Sequence, residues 1–314
     1  SNADLTDVNL AHANLKCTEL KHADLSGADL EAADLSCAKL MYADLTDAYL
    51  YQASLTSADL SYADLTDATL DGASLTGDTE LTYADLTGAS LNYANLTGAD
   101  LQYATLTDAN LYYAYLTDAY LAYADLTGAD LGGAYLTGAD LESADLTGAD
   151  LSNNGWAPAN LTGANLEDAD LTSVDLSYAV LTGANLEGAD LTDAVLTYAD
   201  LTGETVLAFA DLTDAYLKNA NLTGAILYKA DLTDANLRDA VLTDAILDYA
   251  DLTDANLNYA DLTDADLAHA DLRTADLEGA NLTEARLLGA DLTGANLENA
   301  VLKDAMLVDT DLRG

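Results

Sequence analysis

The chain is nearly empty of the residues on which much protein chemistry depends. Its 314 residues include one proline, one tryptophan, one phenylalanine, two methionines, two cysteines and three histidines. His12, His22 and His269 are too few and too scattered for a metal site, and no Cys/His cluster has zinc spacing. Calcium loops of the EF-hand or nonapeptide type are absent, as are a phosphate-cradling glycine loop and a nucleophile elbow. The chain therefore reads as non-enzymatic, with no catalytic residue, metal or cofactor expected. Polar residues interrupt every apolar run, which excludes a transmembrane helix. No signal peptide is visible, and this favours the cytoplasm. The opening Ser-Asn-Ala, residues 1–3, reads as the remnant of a cleaved tag. Scarcity of proline fits a backbone whose N–H groups are committed to continuous ladders. Lysine and arginine total ten, and none lies between Met41 and Leu217.

What the chain has instead is leucine at every fifth position. From Leu5 to Leu312 it divides into 62 five-residue units, centred on leucine in 61 and on Trp156 in the other. With the centre called i, position i−2 is alanine in 55 of the 62 units. A helix advances about 100° per residue, so this period would spread leucine around every side. In an extended segment i−2 and i share one side. Each unit is thus a short strand with alanine and leucine inward, followed by a polar corner. Eighteen of the 20 glycines fall at i+2, as a corner with positive φ requires.

The repeat A(D/N)LXX resembles that of the pentapeptide-repeat family and runs over essentially the whole chain. The resemblance implies an all-β fold, a right-handed quadrilateral β-helix of about 15 coils with four units in each. The solenoid itself and its inward residues follow from the period alone. Residues 4–314 are read as a single domain. Neither end shows an obvious cap, so end-to-end association into a homodimer, or neighbouring domains, is expected.

The period slips by one residue at TGDTEL, between Leu75 and Leu81, and at TGETVL, between Leu201 and Leu207. One-residue bulges are expected near 78 and 204, with Thr79 and Thr205 in the alanine position. Threonine at i+1 recurs every ten residues, yet Thr147 and Thr162 stand 15 apart. Removing five residues around Asn154, Gly155, Trp156 and Pro158 restores the rhythm. This predicts a loop extruded over 152–159 with Trp156 outside, the alternative being an oversized core residue there. Cys17 and Cys37, 20 residues apart, stack in one outward column, where parallel side chains suit a disulfide poorly. Free thiols are the expectation.

The threonine rhythm leaves two faces monotonous and two variable. On one variable face His22, Tyr42, Tyr62, Tyr83, Tyr103 and Tyr123 fall in a single column, and Tyr93 and Tyr113 stack on the other. Such a column either steadies neighbouring coils or forms a stripe for a protein partner. The threonine ladders are flanked too closely by aspartate to suit ice.

Net charge is −45. Spread over coils about 4.8 Å apart, it amounts to about 0.6 charge per Å, close to double-stranded DNA. Direct binding of nucleic acid is excluded by that sign. The favoured reading is an acidic scaffold or protein-interaction module whose charge keeps a solenoid soluble. The second is a DNA mimic acting on DNA gyrase or topoisomerase. That role is implied by resemblance to the quinolone-resistance group, although the chain lacks that group's C-terminal helical dimerisation segment.

Overall fold

The computed structural model of the protein describes residues 3–152 and 158–314. No helix occurs among them. They group into two compact units, Ser1–Asn160 and Leu161–Gly314, where the repeat alone suggests one domain. Of the expected loop residues, Asn154, Gly155 and Trp156 lie outside the described residues; Pro158 is half-buried.

In both units the i−1 residues carry the pairing, always parallel. In the first, Asp4, Asp24, Asp44 and Asp64 form one ladder, and others begin at Asn9, Asn14 and Glu19. Four ladders offset by five residues give every 20-residue coil four sides. In the second unit the same step links Asp211, Asp231, Asp251, Asp271, Asp291 and Asp311. This is the solenoid that the period predicts, with the four sides that the resemblance implies.

Alanine at i−2 and leucine at i point inward. From Leu25 to Leu292 every described central leucine is at most 2% exposed. A fully buried leucine contributes roughly 2 kcal/mol of transfer free energy, so repetition of one residue supplies the core. Leu5, Leu10 and Leu15, and Leu297, Leu302, Leu307 and Leu312, are only partly covered. A leucine is sealed when a coil stacks on each side of it.

Hydrogen bonding explains the other three positions. Within Ala124–Gly128, the Ala124 N–H donates to Leu121 O (3.0 Å) across the preceding corner. The Asp125 N–H donates to Ala104 O (3.0 Å), the Leu126 N–H to Asp145 O (2.6 Å) and the Gly128 N–H to Thr147 O (3.0 Å) in adjoining coils. The Thr127 N–H, which no ladder reaches, donates to Asp125 Oδ1 at 2.9 Å. All five donors are satisfied, as backbone groups beside a core must be. The same bond from i+1 to i−1 recurs at Thr66, Thr87, Thr147, Thr192, Thr213 and Thr253. Asparagine does the same for Thr97 and Thr223. Aspartate and asparagine dominate i−1 because only a short side chain with an acceptor closes this turn.

One consequence is testable at Asp125. Burial raises its carboxyl pKa, but bonds from the Thr127 hydroxyl and N–H and from the Thr107 hydroxyl outweigh burial and hold it below 3.8. A depressed carboxylate contributes stability above its unfolded value and loses it as pH falls through the folded one. Asp125→Ala is expected to cost about 1 kcal/mol in urea titrations at pH 7. Asp125→Asn, which keeps the Oδ1 acceptor, should cost a few tenths and lack this carboxyl's share of the acid-induced loss below 3.8. Equal losses for both variants would exclude the acceptor role.

From Asp7 to Asp309 the described corner residues at i+2 other than Pro158 are left-handed, for example Gly128 at φ 67°, Asp108 at 56° and Tyr123 at 61°. At the first slip Asp59 pairs with Glu80, 21 residues on, and Ser74 with Asn95; by Glu80 and Asp100 the step is again 20. At the second, Asn185 pairs with Val206 at 21, and Val206 with Ile226 at 20. Each extra residue is absorbed within one coil. Thr79 and Thr205 are fully buried. The Thr205 Oγ1 accepts the Gly183 N–H at 3.1 Å and donates towards Thr202 O (2.7 Å) and Leu181 O (2.8 Å). Thr79 does the same with Ser57 N–H (3.0 Å), Thr76 O (2.9 Å) and Leu55 O (3.1 Å). Beyond these slips, Tyr135 pairs with Asn160 at a step of 25.

The cysteines correct the expectation of free thiols. Cys17 and Cys37 form a disulfide, their Cα atoms 4.5 Å apart. Coil spacing places them within the range a disulfide spans, about 4.4–6.8 Å, and this outweighs the parallel setting of the two side chains.

Candidate interaction surface

The tyrosine column lies wholly in the first unit, on corner positions. His22, Tyr42, Tyr62, Tyr83, Tyr103 and Tyr123 stack in succession, with ring centroids 4.9–5.1 Å apart and planes within 14°. The five tyrosines are 42–48% exposed. Stacking follows from the backbone, since identical φ in coils one step apart projects each ring along the same vector. Their φ values, 59–61°, lie where a non-glycine residue is disfavoured.

Two magnitudes bear on what the column contributes to the fold. A left-handed L-residue costs roughly 1–2 kcal/mol. A stacked aromatic pair returns about 0.5–1.5 kcal/mol. The two nearly cancel, so stacking itself adds little net stability here, and what tyrosine brings to the fold is the covered half of each ring. Glycine or asparagine, as at Gly128 and Asn219, meets the same backbone demand.

The second column is interrupted. Tyr93 and Tyr113 stack at 5.5 Å with planes 4° apart. The preceding corners are Gln52 and Gly72, and beside them opens a groove of about 540 Å³ lined by Tyr51, Gln52, Asp71, Gly72, Asn92 and Tyr93. Asp71 Oδ1 accepts from the Ser90 hydroxyl (2.6 Å), the Asn92 N–H (3.0 Å) and the Asn92 side chain (3.1 Å), which fixes its carboxylate at the groove. Burial, followed by the charges of Glu31 and other acids including Asp29 and Asp71, raises the Tyr49 hydroxyl pKa.

Further aromatic stacks occur elsewhere in both units. Tyr115 and Tyr135 stack at 4.9 Å in the first unit. In the second, Tyr178 stacks on Tyr198 at 5.1 Å and Tyr249 on His269 at 4.8 Å, while Phe209 meets Tyr228 edge-on at 5.5 Å. Spacings of 20 residues signal the first three pairs. Tyr115 and Tyr135 lie at i−1 rather than at a corner, and Tyr228 lies at i+1, so a search of one column misses them.

The surroundings are acidic by construction. In the ladder Asp24, Asp44, Asp64 and Asp85, carboxylates stand directly above one another. Asp24 and Asp34 are held below the ordinary carboxylate range, first by the hydroxyls of Ser26 and Ser36. Among the described bases, Lys21, Lys229 and Arg238 lie over rings, while Lys39, Arg273, Arg286, Lys303 and Arg313 pair with aspartates. The Lys21 Nζ is 5.6 Å from the Tyr42 centroid, and the Arg238 guanidinium is 5.5 Å from that of Tyr259. Among the described residues no group of His, Cys, Asp and Glu is arranged to hold a metal ion.

The profile of the family described as Pentapeptide repeats matches the chain in segments 3–40, 38–77, 79–112, 114–153, 159–188, 175–203, 204–239, 235–273 and 275–314. No curated protein matches. Among solved structures, the chain is similar to HetL, a pentapeptide repeat protein involved in heterocyst differentiation regulation from the cyanobacterium Nostoc sp. strain PCC 7120. The identity is 37% over 73% of this chain and 86% of that one, with a TM-score of 0.27. It is similar to QnrB1, a plasmid-mediated fluoroquinolone resistance protein, at 20% identity over 67% and 92% of the two chains, TM-score 0.35. Rfr23 from the cyanobacterium Cyanothece 51142 is 28% identical over 48% and 90%, TM-score 0.18.

Proposed function

Because the chain belongs to the pentapeptide-repeat family, we propose that it is a non-catalytic interaction module that engages a basic protein through its first unit. The observation that carries this reading is the exposed tyrosine column, set in backbone that disfavours tyrosine and in a stretch without lysine or arginine. A column whose stacking does little more than offset its backbone cost, yet gathers aromatic area among carboxylates, suits contact with a partner rich in cations. Aromatic residues and arginine are enriched at interfaces.

The test separates this from a purely structural column. The triple variant Tyr62→Asn, Tyr83→Asn, Tyr103→Asn removes four stacks and relieves three left-handed tyrosines. These effects are of similar size and opposite sign, so its urea midpoint should fall only by the share of the covered ring area. Partner capture from the source organism should fall at least tenfold in parallel, about 1.4 kcal/mol. A large loss of stability, with capture unchanged, would return the column to a structural role.

The linear charge density supports a second reading, DNA mimicry towards gyrase or topoisomerase. Supercoiling assays with micromolar protein, in low and in physiological salt, decide it: an absence of inhibition in both excludes gyrase.

A further inference from the structure

We propose that the groove at Gly72 is an arginine socket: a vacant rung of the second tyrosine column that takes one guanidinium from a protein partner, stacked on Tyr93 and paired with Asp71. The inference rests on the reading of the first unit as an interaction surface, and it names the chemistry of one contact.

The rung is empty for a local reason. Gln52, Gly72, Tyr93 and Tyr113 occupy successive corners, all left-handed. Elsewhere a glycine in such a column is covered by the ring before it. A Cβ on Gly133 would lie 2.8 Å from the Tyr113 ring, and one on Gly279 would lie 2.6 Å from that of Tyr259. At Gly72 the preceding residue is Gln52, and the nearest approach to a Cβ is its Cγ at 3.5 Å. No ring leans over this glycine. Tyr93, 57% exposed, packs one face on Tyr113 and turns the other towards the groove. The opening lies at the one missing rung, between Gln52 and Tyr93.

The chain itself shows what suits such a face. Lys21 lies over Tyr42, and Arg238 over Tyr259. In both pairs the cation stands at i+1 and the ring at i+2 one coil later. The residue at that i+1 position before Tyr93 is Asp71, an acid where the other two columns have a base. The ring therefore lacks a cation from its own chain, and a carboxylate stands beside the place a cation would take. Charge complementarity points to a cation from outside, since no lysine or arginine occurs from Met41 to Leu217. Planarity selects arginine over lysine. A guanidinium stacks on an aromatic face while its edge donates to a carboxylate, and an ammonium does only part of this.

Calorimetry with the full chain tests the socket, using a peptide of three Gly-Arg-Gly units and its lysine counterpart at physiological salt. The arginine peptide should bind about tenfold more tightly, a ratio in keeping with one stacked, carboxylate-paired guanidinium. Gly72→Tyr fills the rung in a conformation that neighbouring tyrosines already adopt, and should remove that preference with the melt unchanged or raised. Tyr93→Asn removes the platform and should do the same if Gly72→Tyr fails to fold. Asp71→Asn, which keeps the Oδ1 acceptor, should reduce the preference in part. Equal binding of both peptides, or an arginine preference that survives Gly72→Tyr and Tyr93→Asn, overturns the socket while leaving a diffuse acidic interaction surface in place. Binding of neither peptide also overturns it, and the triple tyrosine variant then decides the broader reading independently.

Discussion

Leu101→Asp is expected to abolish folding of the first unit. Leu101 is fully buried. Its N–H donates to Tyr120 O at 2.7 Å, within the ladder between coils. The substitution removes roughly 2 kcal/mol of apolar burial and places a carboxylate where no cation or water can reach it. The combined cost exceeds the 4–5 kcal/mol that marks the extreme of single substitutions. In a solenoid each coil contacts only its neighbours, so the damage should spread outward from coil to coil. Circular dichroism should show loss of β signal from the first unit. Gln102→Asp, one residue on and only half-buried, should leave the melt within about 0.5 kcal/mol of wild type. A Leu101→Asp protein with a wild-type melt would mean that leucine does not form the core.

The second large effect runs against the repeat. Alanine occupies 55 of the 62 i−2 positions, and on consensus grounds Thr205→Ala should stabilise. The geometry predicts a loss of about 2 kcal/mol, from a buried hydroxyl bond and a small void. The hydroxyl ties the Gly183 N–H to the carbonyls of Thr202 and Leu181 where the extra residue distorts the corner. Thr205→Ser keeps the oxygen and should recover most of the loss. An alanine variant as stable as wild type would show that the bulge holds without this bridge.

The period made the solenoid legible because one residue type at one spacing admits one geometry. Leu101 and Ala104 could be placed inward without coordinates, and the stack from His22 to Tyr123 follows from counting in twenties. The role of Asp125 was not legible, since the bond to its own i+1 N–H depends on which donors the ladders leave over. The same holds for Thr79 and Thr205. The slips were visible, but the reason for threonine lies in three backbone groups more than a coil or a corner away. Cys17 and Cys37 were correctly stacked, yet their bond turned on a separation of 4.5 Å. The groove at Gly72 was invisible, because it is defined by a ring that Gln52 does not supply.

The stacked carboxylates of Asp24, Asp44, Asp64 and Asp85 have a further consequence. A row of like charges at coil spacing gathers a sheath of mobile cations from solution. A basic partner of the kind proposed would meet that sheath before it met the protein, and each contact would set ions free. Association would then be driven in part by the entropy of the released ions. The slope of log affinity against log salt would count the contacts made, as it does for proteins on a nucleic-acid polyanion. In this respect the row of carboxylates acts less as a lock than as an ion exchanger.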